Sequence, residues 1–106
     1  MIRQLGAREL SERLTGTNKP LVLDVREPWE LQVCALAESV NIPMGQIAAR
    51  AAELDKDQEI VVMCHHGVRS QHVALFLQGQ GFSNLYNLKG GIAAWARDVD
   101  GKMPTY

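Results

Sequence analysis

The chain has 106 residues, of which 46% are apolar, so its length fits one globular domain over residues 1–106. Its 11 Lys and Arg residues nearly balance its 12 Asp and Glu residues, and the formal net charge is -1. This balance excludes general binding to nucleic acids or anionic membranes, because both require an excess of basic residues.

The first half of the chain alternates between strand-like and helix-like apolar patterns. In chain order, these patterns predict an edge strand over residues 2–5, a helix around residues 7–14, a buried strand over residues 21–25, a weaker strand over residues 40–42 and a helix over residues 47–54. Consecutive apolar residues in the strand over 21–25 indicate that both of its faces are covered, as in the centre of a parallel sheet.

The second half repeats the alternation with a stronger signal. It predicts a buried strand over residues 60–63, a helix that begins near Ser70 or Gln71 and ends at Gly79 or Gly81, a weaker strand over residues 84–86 and a last helix over residues 92–96 after the pair Gly90–Gly91. Strands that alternate with helices are typical of an α/β fold with a parallel sheet, in which ligands bind beyond the carboxyl ends of the strands.

The loop that follows the strand over 60–63 is the strongest candidate for a functional site. Cys64 opens it, and Gly67 lets the backbone turn before the next helix begins. Amides of a tight loop and of a helix N-terminus stabilise an anion, so we expect the Cys64 sulfur to be a thiolate with a lowered pKa. Arg69 adds a permanent cation suited to oxyanions, and His65 and His66 can donate hydrogen bonds.

A thiolate in an anion cradle suits sulfur transfer. The thiolate would attack the outer sulfur of thiosulfate, release sulfite and become a persulfide, which the same amides stabilise. The sulfur would then pass to cyanide or to a thiol acceptor, which can be a thiol-bearing protein. This double displacement requires no metal and no organic cofactor.

Four motifs in the same order resemble those of a single-domain rhodanese, a member of the sulfurtransferase superfamily. They are Leu-Asp-Val-Arg-Glu at residues 23–27, Asn-Ile-Pro at 41–43, the loop at 64–70, and Leu-Lys-Gly-Gly at 88–91 with Trp95. The resemblance covers nearly the whole chain. It implies the rhodanese-like fold, a central five-stranded parallel sheet with helices on both faces.

The resemblance also implies roles for individual residues. Cys64 corresponds to the nucleophile that accepts sulfur, and Asp24 and Arg26 correspond to supporting residues that hold the loop or contact the substrate. The substrate cradle comprises His65, His66, Gly67, Val68, Arg69 and Ser70.

The chain departs from the family pattern in two segments. Residues 34–39 lack the histidine that relatives carry before the Asn-Ile-Pro turn. His65 and His66 stand where Arg-Ser is common, so weaker thiosulfate binding is expected at high pH, where imidazole is neutral.

Other functions are open to a chain of this kind. Related cysteine-dependent phosphatases and arsenate reductases place five residues between Cys and Arg, whereas four separate Cys64 from Arg69, which gives a ring sized for one extra sulfur. A non-catalytic interaction module is the third reading, but such modules have often lost the nucleophile, and this chain retains it. A metal site is not expected, because adjacent Cys64, His65 and His66 point apart and no second pair supplies further ligands.

The cellular setting follows from the cysteines and from the apolar runs. The longest uninterrupted apolar run, residues 60–64, has five residues, whereas a spanning helix needs roughly 20. Without an export signal, we expect a cytoplasmic, monomeric protein with reduced thiols. Cys34 is expected to pack in the core, with a redox role toward Cys64 as the alternative.

Overall fold

A computed structural model describes residues 2–106 of the chain. Within that range, the strands are β1 (Arg3–Leu5), β2 (Leu21–Asp24), β3 (Val40–Asn41), β4 (Ile60–Met63) and β5 (Leu85–Leu88). The helices are α1 (Ala7–Leu14), α2 (Pro28–Val33), α3 (Ile47–Arg50), α4 (Val68–Gly79) and α5 (Gly91–Asp98), and 3-10 turns at Met44–Gln46 and Ala51–Glu53 flank α3. None of the described helices has the length and apolar character needed to cross a membrane.

The strands form a single sheet in the order β1-β5-β4-β2-β3, and every neighbouring pair is parallel. The predicted five-stranded parallel sheet is therefore confirmed. The order places β4 in the middle, between β2 and β5, so three loops meet at its carboxyl end. Those loops carry the motifs that the sequence singled out.

Side chains of β4 alternate between two apolar clusters, one on each face of the sheet. Ile60 and Val62 pack with residues of α3 and α4, whereas Val61 and Met63 pack with residues of α1 and α5. All four side chains have no exposed surface. The helices thus cover both faces, as predicted, and the continuous apolar run at 60–63 is explained by burial from both sides.

The main differences between the structure and the predicted elements are four. Of the helix predicted over residues 47–54, only Ile47–Arg50 is α-helical, and the chain then tightens into a 3-10 turn in which the Leu54 N–H bonds to the Ala51 carbonyl. Helix α2 was not predicted, because its six residues are too few to show a helical period. Helix α4 begins at Val68 rather than at Ser70 or Gln71, because Gly67 adopts a left-handed conformation that caps the helix directly. Strand β5 extends to Leu88, since its polar Asn87 is buried and hidden from a pattern based on apolar residues.

Candidate active site

Cys64 lies directly after β4 and is 1% exposed. Its Sγ atom accepts a hydrogen bond from the Gly67 N–H at 3.0 Å and lies 3.3 Å from the Ser70 hydroxyl. The loop therefore folds back over the sulfur, as the sequence pattern predicts, and at least one main-chain dipole points at it.

The direction of the loop amides is fixed by the partners of its carbonyls. The Cys64 and His65 carbonyls accept hydrogen bonds from Ile92 N–H at 2.9 Å and Ala93 N–H at 3.1 Å, in the first turn of α5. Those carbonyls are thus directed away from the sulfur. Gly67, with φ of 104°, reverses the chain so that its own N–H faces the sulfur.

The hydrogen bonds around Cys64 determine its acidity. Burial of the thiol raises its pKa, but the contact with the Ser70 side chain and hydrogen bonds from the amides of Ser70, Gly67 and His66 outweigh this effect. The net pKa of Cys64 is lower than its ordinary value. The loop therefore favours the thiolate, which is the nucleophilic form of cysteine.

Asn87 in β5 forms hydrogen bonds with two residues of the cradle. Its Oδ1 atom accepts a hydrogen bond from the Ser70 hydroxyl, and its Nδ2 atom donates to the Gly67 carbonyl at 3.1 Å and to Gln4 Oε1 at 3.0 Å. Asn87 thereby links two of the groups that contact the Cys64 sulfur. Sequence reasoning missed it, although a polar residue flanked by apolar ones in a strand is a usable signal of this kind.

The Arg69 guanidinium is paired with a carboxylate of this chain. Its Nη1 and Nη2 atoms each donate to a carboxylate oxygen of Glu30, both at 2.7 Å. The Glu30 side chain is 4% exposed, whereas that of Arg69 is 34% exposed. The planar fork that the sequence suggested for an oxyanion is occupied by a carboxylate of this chain.

Glu30 in α2 is the centre of a wider polar network that sequence reasoning also missed. Besides Arg69, it accepts hydrogen bonds from the Tyr106 hydroxyl at 2.8 Å and from the Glu27 N–H at 2.8 Å. The Arg69 guanidinium is the main cause of a low pKa for Glu30, burial opposes it, and the two other donors lower it further, to about 2. Glu30 therefore carries its charge at any neutral pH.

We expect this network to make folding stability depend on acid pH. The pKa of Glu30 falls from 4.5 in its ordinary state to about 2 in the folded chain, so its stabilisation is present above about pH 4.5 and is lost as the pH falls toward 2. The loss should be about 3 kcal/mol in the free energy of unfolding. Urea unfolding at several pH values should show a steeper acid loss for the wild type than for Glu30→Gln.

Glu53→Gln provides the matched control, because Glu53 pairs with Arg50 on the surface, where its side chain is 55% exposed. This variant should keep nearly the whole acid dependence of the wild type, since exposed pairs contribute little. Parallel acid curves for the wild type and Glu30→Gln would contradict the role given to Glu30.

Asp24 and Arg26 form a second ion pair, with 0% exposure for both side chains. Arg26 Nη2 lies 2.7 Å from Asp24 Oδ2, and the guanidinium also donates to the carbonyls of Cys34 at 2.9 Å and Glu30 at 3.3 Å. Both residues were predicted to hold the loop or to contact the substrate. Their burial fits the holding role, since they fasten α2 and its following segment to the end of β2.

Tyr106 covers one side of the loop. Its ring stacks on that of His65 with centroids 3.9 Å apart and planes 8° apart, and its hydroxyl accepts from Arg26 at 3.0 Å. Burial, with the nearby His66 as a smaller cause, lowers the pKa of His65 and so favours its neutral imidazole. Of the remaining predicted cradle residues, His66 is exposed, and the Val68 side chain is 67% exposed.

Cys34 and Cys64 lie on opposite faces of the sheet. Cys34 packs in the apolar cluster on the Val61 face of the sheet, whereas Cys64 belongs to the cluster on the opposite face. Both thiols are free. This position agrees with the packing role expected for Cys34.

The chain is similar to rhodanese-like domains and to proteins named as sulfurtransferases. A family described as "Rhodanese-like domain" matches residues 6–98. A protein named "Sulfurtransferase" from Allochromatium vinosum is 36% identical over 97 residues, which is 92% of this chain and 91% of the relative. The "Thiosulfate sulfurtransferase GlpE" of Pseudomonas syringae is 39% identical over 75 residues, 71% of each chain. A crystal structure of a rhodanese-related protein from Thermoplasma volcanium superposes with a TM-score of 0.84 at 35% identity, covering 92% of this chain and 93% of that one.

Proposed function

Since this chain belongs to the rhodanese family of sulfurtransferases, we propose that Cys64 carries a sulfane sulfur atom, as a persulfide, from a donor to an acceptor. The observation that supports this most strongly is the hydrogen bond of 3.0 Å that the Gly67 N–H donates to the Cys64 sulfur. We further propose that residues 1–106 act as one rhodanese domain.

In the first step, the Cys64 thiolate attacks the outer sulfur of thiosulfate. The new S–S bond forms on Cys64 as the old S–S bond breaks, and the bonding electrons leave with sulfite. The product is an anionic persulfide, whose outer sulfur remains within reach of the loop amides. No net oxidation or reduction occurs, because one S–S bond replaces another.

In the second step, cyanide or a thiolate attacks the outer sulfur of the persulfide. The electrons of the broken S–S bond return to Cys64, which becomes a thiolate again. The acceptor leaves as thiocyanate or as a new persulfide, and the acceptor thiol can belong to a protein. Neither step requires a metal or an organic cofactor.

Two classes of donor fit this scheme, thiosulfate and a persulfide. The name of the Pseudomonas relative supports thiosulfate. The proposed cradle comprises His65, His66, Gly67, Val68, Arg69 and Ser70. Asp24 and Arg26 are proposed to support it through the buried contacts that hold α2 and its following segment. A reducing compartment such as the cytoplasm suits this chemistry, because Cys64 has to be a free thiol before each cycle.

Intact-mass measurement tests the proposal. After incubation with thiosulfate or with a small persulfide, the chain should gain about 32 Da, the mass of one sulfur, localised to Cys64 and removed by cyanide. No gain with either donor would leave a non-catalytic binding module as the better reading. Turnover of an aryl phosphate that depends on Cys64 would favour a phosphatase instead.

A further inference from the structure

The cradle around the Cys64 sulfur receives hydrogen bonds but no unpaired positive charge from the arginines that flank it. Arg69 is held by both oxygens of Glu30, at 2.7 Å each, and Arg26 is fully buried against Asp24. Each cation is therefore matched by a carboxylate of this chain. The loop amides remain as the donors for a bound anion, because the Ser70 hydroxyl donates its one proton to Asn87 Oδ1.

The charge of the donor matters in such a site. Attack by the Cys64 thiolate on thiosulfate brings one negative charge together with two more, whereas a persulfide adds none as R–S–SH and at most one as R–S–S⁻. Like charges in a buried site of low effective dielectric repel strongly. Amide dipoles reduce this repulsion for an anion of one charge better than for a complex that carries three.

The carboxylate that pairs with Arg69 is held in place by groups beyond Arg69. Tyr106 and Glu27 donate to Glu30 at 2.8 Å each, and the side chain is 4% exposed. Glu30 thus has three donors in fixed positions and little room to move aside for a substrate. These contacts oppose a release of Arg69 from Glu30 when a small anion enters the loop.

From this arrangement, and resting on the proposed function, we infer that Glu30 is a specificity-determining residue. Because the Glu30 carboxylate pairs with the Arg69 guanidinium, that cation is not available to thiosulfate. Glu30 therefore biases the loading of Cys64 toward persulfide donors of low charge and against the thiosulfate dianion. Val68, the apolar residue that precedes Arg69 at the start of α4, is 67% exposed and offers contact to the carbon part of such a donor.

The loading reaction with a persulfide balances without any co-reactant. The Cys64 thiolate attacks the outer sulfur of R–S–SH, and the new S–S bond forms as the inner S–S bond breaks. The electrons leave on the thiolate R–S⁻, and the proton of the outer sulfur stays on the new persulfide of Cys64. One negative charge enters the reaction and one leaves it.

Glu30→Gln tests this inference, because it removes the charge and retains a side chain of the same size. The two probes are thiosulfate and the persulfide of 2-mercaptoethanol, which has no charged group besides its sulfur, used at about pH 8, above the ordinary titration range of histidine. Loading of Cys64 is followed by mass. We expect thiosulfate loading to rise about tenfold in the variant, and persulfide loading to change by less than about threefold.

Two further variants define the origin of the gain. Glu30→Gln/Arg69→Gln should return thiosulfate loading to about the wild-type rate, since the gain depends on the freed Arg69 cation. Glu53→Gln, which removes a carboxylate from the exposed pair with Arg50, should change neither rate. Unchanged or reduced thiosulfate loading in a folded Glu30→Gln protein would overturn the inference.

The wild-type protein gives an independent test if Glu30→Gln fails to fold. Raising the salt concentration from about 20 to about 200 mM should speed thiosulfate loading, since salt screens repulsion, and should speed persulfide loading clearly less, because a persulfide carries at most one charge. A thiosulfate rate that falls with salt would show an available cation and refute the inference. Failure of the proposed function looks different, because then neither probe adds sulfur to Cys64 in any variant.

Discussion

Replacing Cys64 with serine is expected to abolish sulfur loading and to leave the fold unchanged. A serine hydroxyl fits the same space next to Gly67 N–H and Ser70 and can accept the same hydrogen bonds. However, it is not ionised near neutral pH and cannot form a persulfide. The rate of sulfur transfer should fall by at least about 1,000-fold, since the covalent intermediate is lost.

The measurement combines intact mass after thiosulfate or persulfide treatment with thermal unfolding. Cys34→Ala is the matched control, since Cys34 is the other free cysteine and packs on the opposite face of the sheet. It should keep full loading even where it lowers the unfolding temperature. Sulfur that still appears on the Cys64→Ser protein would place the carrier elsewhere and contradict the proposed function.

Gly91→Ala is expected to damage the loop and the fold together. Gly91 has φ of 61°, and an added Cβ would meet the His65 carbonyl oxygen and lie 2.5 Å from that of Cys64. Both atoms are backbone, so relief requires the loop to move away from α5. We expect the free energy of unfolding to fall by about 3 kcal/mol or more. Because the same carbonyls orient the loop amides, sulfur loading should fall by about 100-fold.

Gly79→Ala is the matched control for this substitution. Gly79 is the last residue of α4, and an added Cβ there meets no atom within 4 Å. Alanine also favours helix more than glycine does, so stability should stay equal or rise by about 0.5 kcal/mol. Chemical unfolding and the loading assay should therefore separate the two variants clearly. Wild-type behaviour of Gly91→Ala in both assays would show that α5 does not fix the loop.

The parts of the site that sequence reasoning found are local in the chain. Cys64 and Gly67 are three residues apart, and their hydrogen bond follows from a tight turn between a strand and a helix. The apolar run at 60–63 likewise identifies a strand buried on both faces. Short-range geometry of this kind depends on residue types that are visible side by side, so a single sequence is enough.

The parts that were missed depend on contacts between distant segments. Glu30 lies 39 residues from Arg69, and Tyr106 lies 76 residues from Glu30. Nothing in the composition of a six-residue helix indicates that one of its acidic side chains contacts the loop that carries Cys64. Arg69 was therefore expected to serve an oxyanion directly, because its carboxylate partner becomes visible only once α2 is placed beside the loop.

The order of the strands has a consequence for biosynthesis. Strand β5 and helix α5, which follow Cys64 in the chain, supply Asn87, which contacts Ser70 and Gly67, and the amides that hold the Cys64 and His65 carbonyls. On the ribosome, Cys64 emerges before either element can dock, so the nascent chain carries an ordinary, weakly reactive thiol. The lowered pKa of Cys64 thus arises only after translation has delivered β5 and α5.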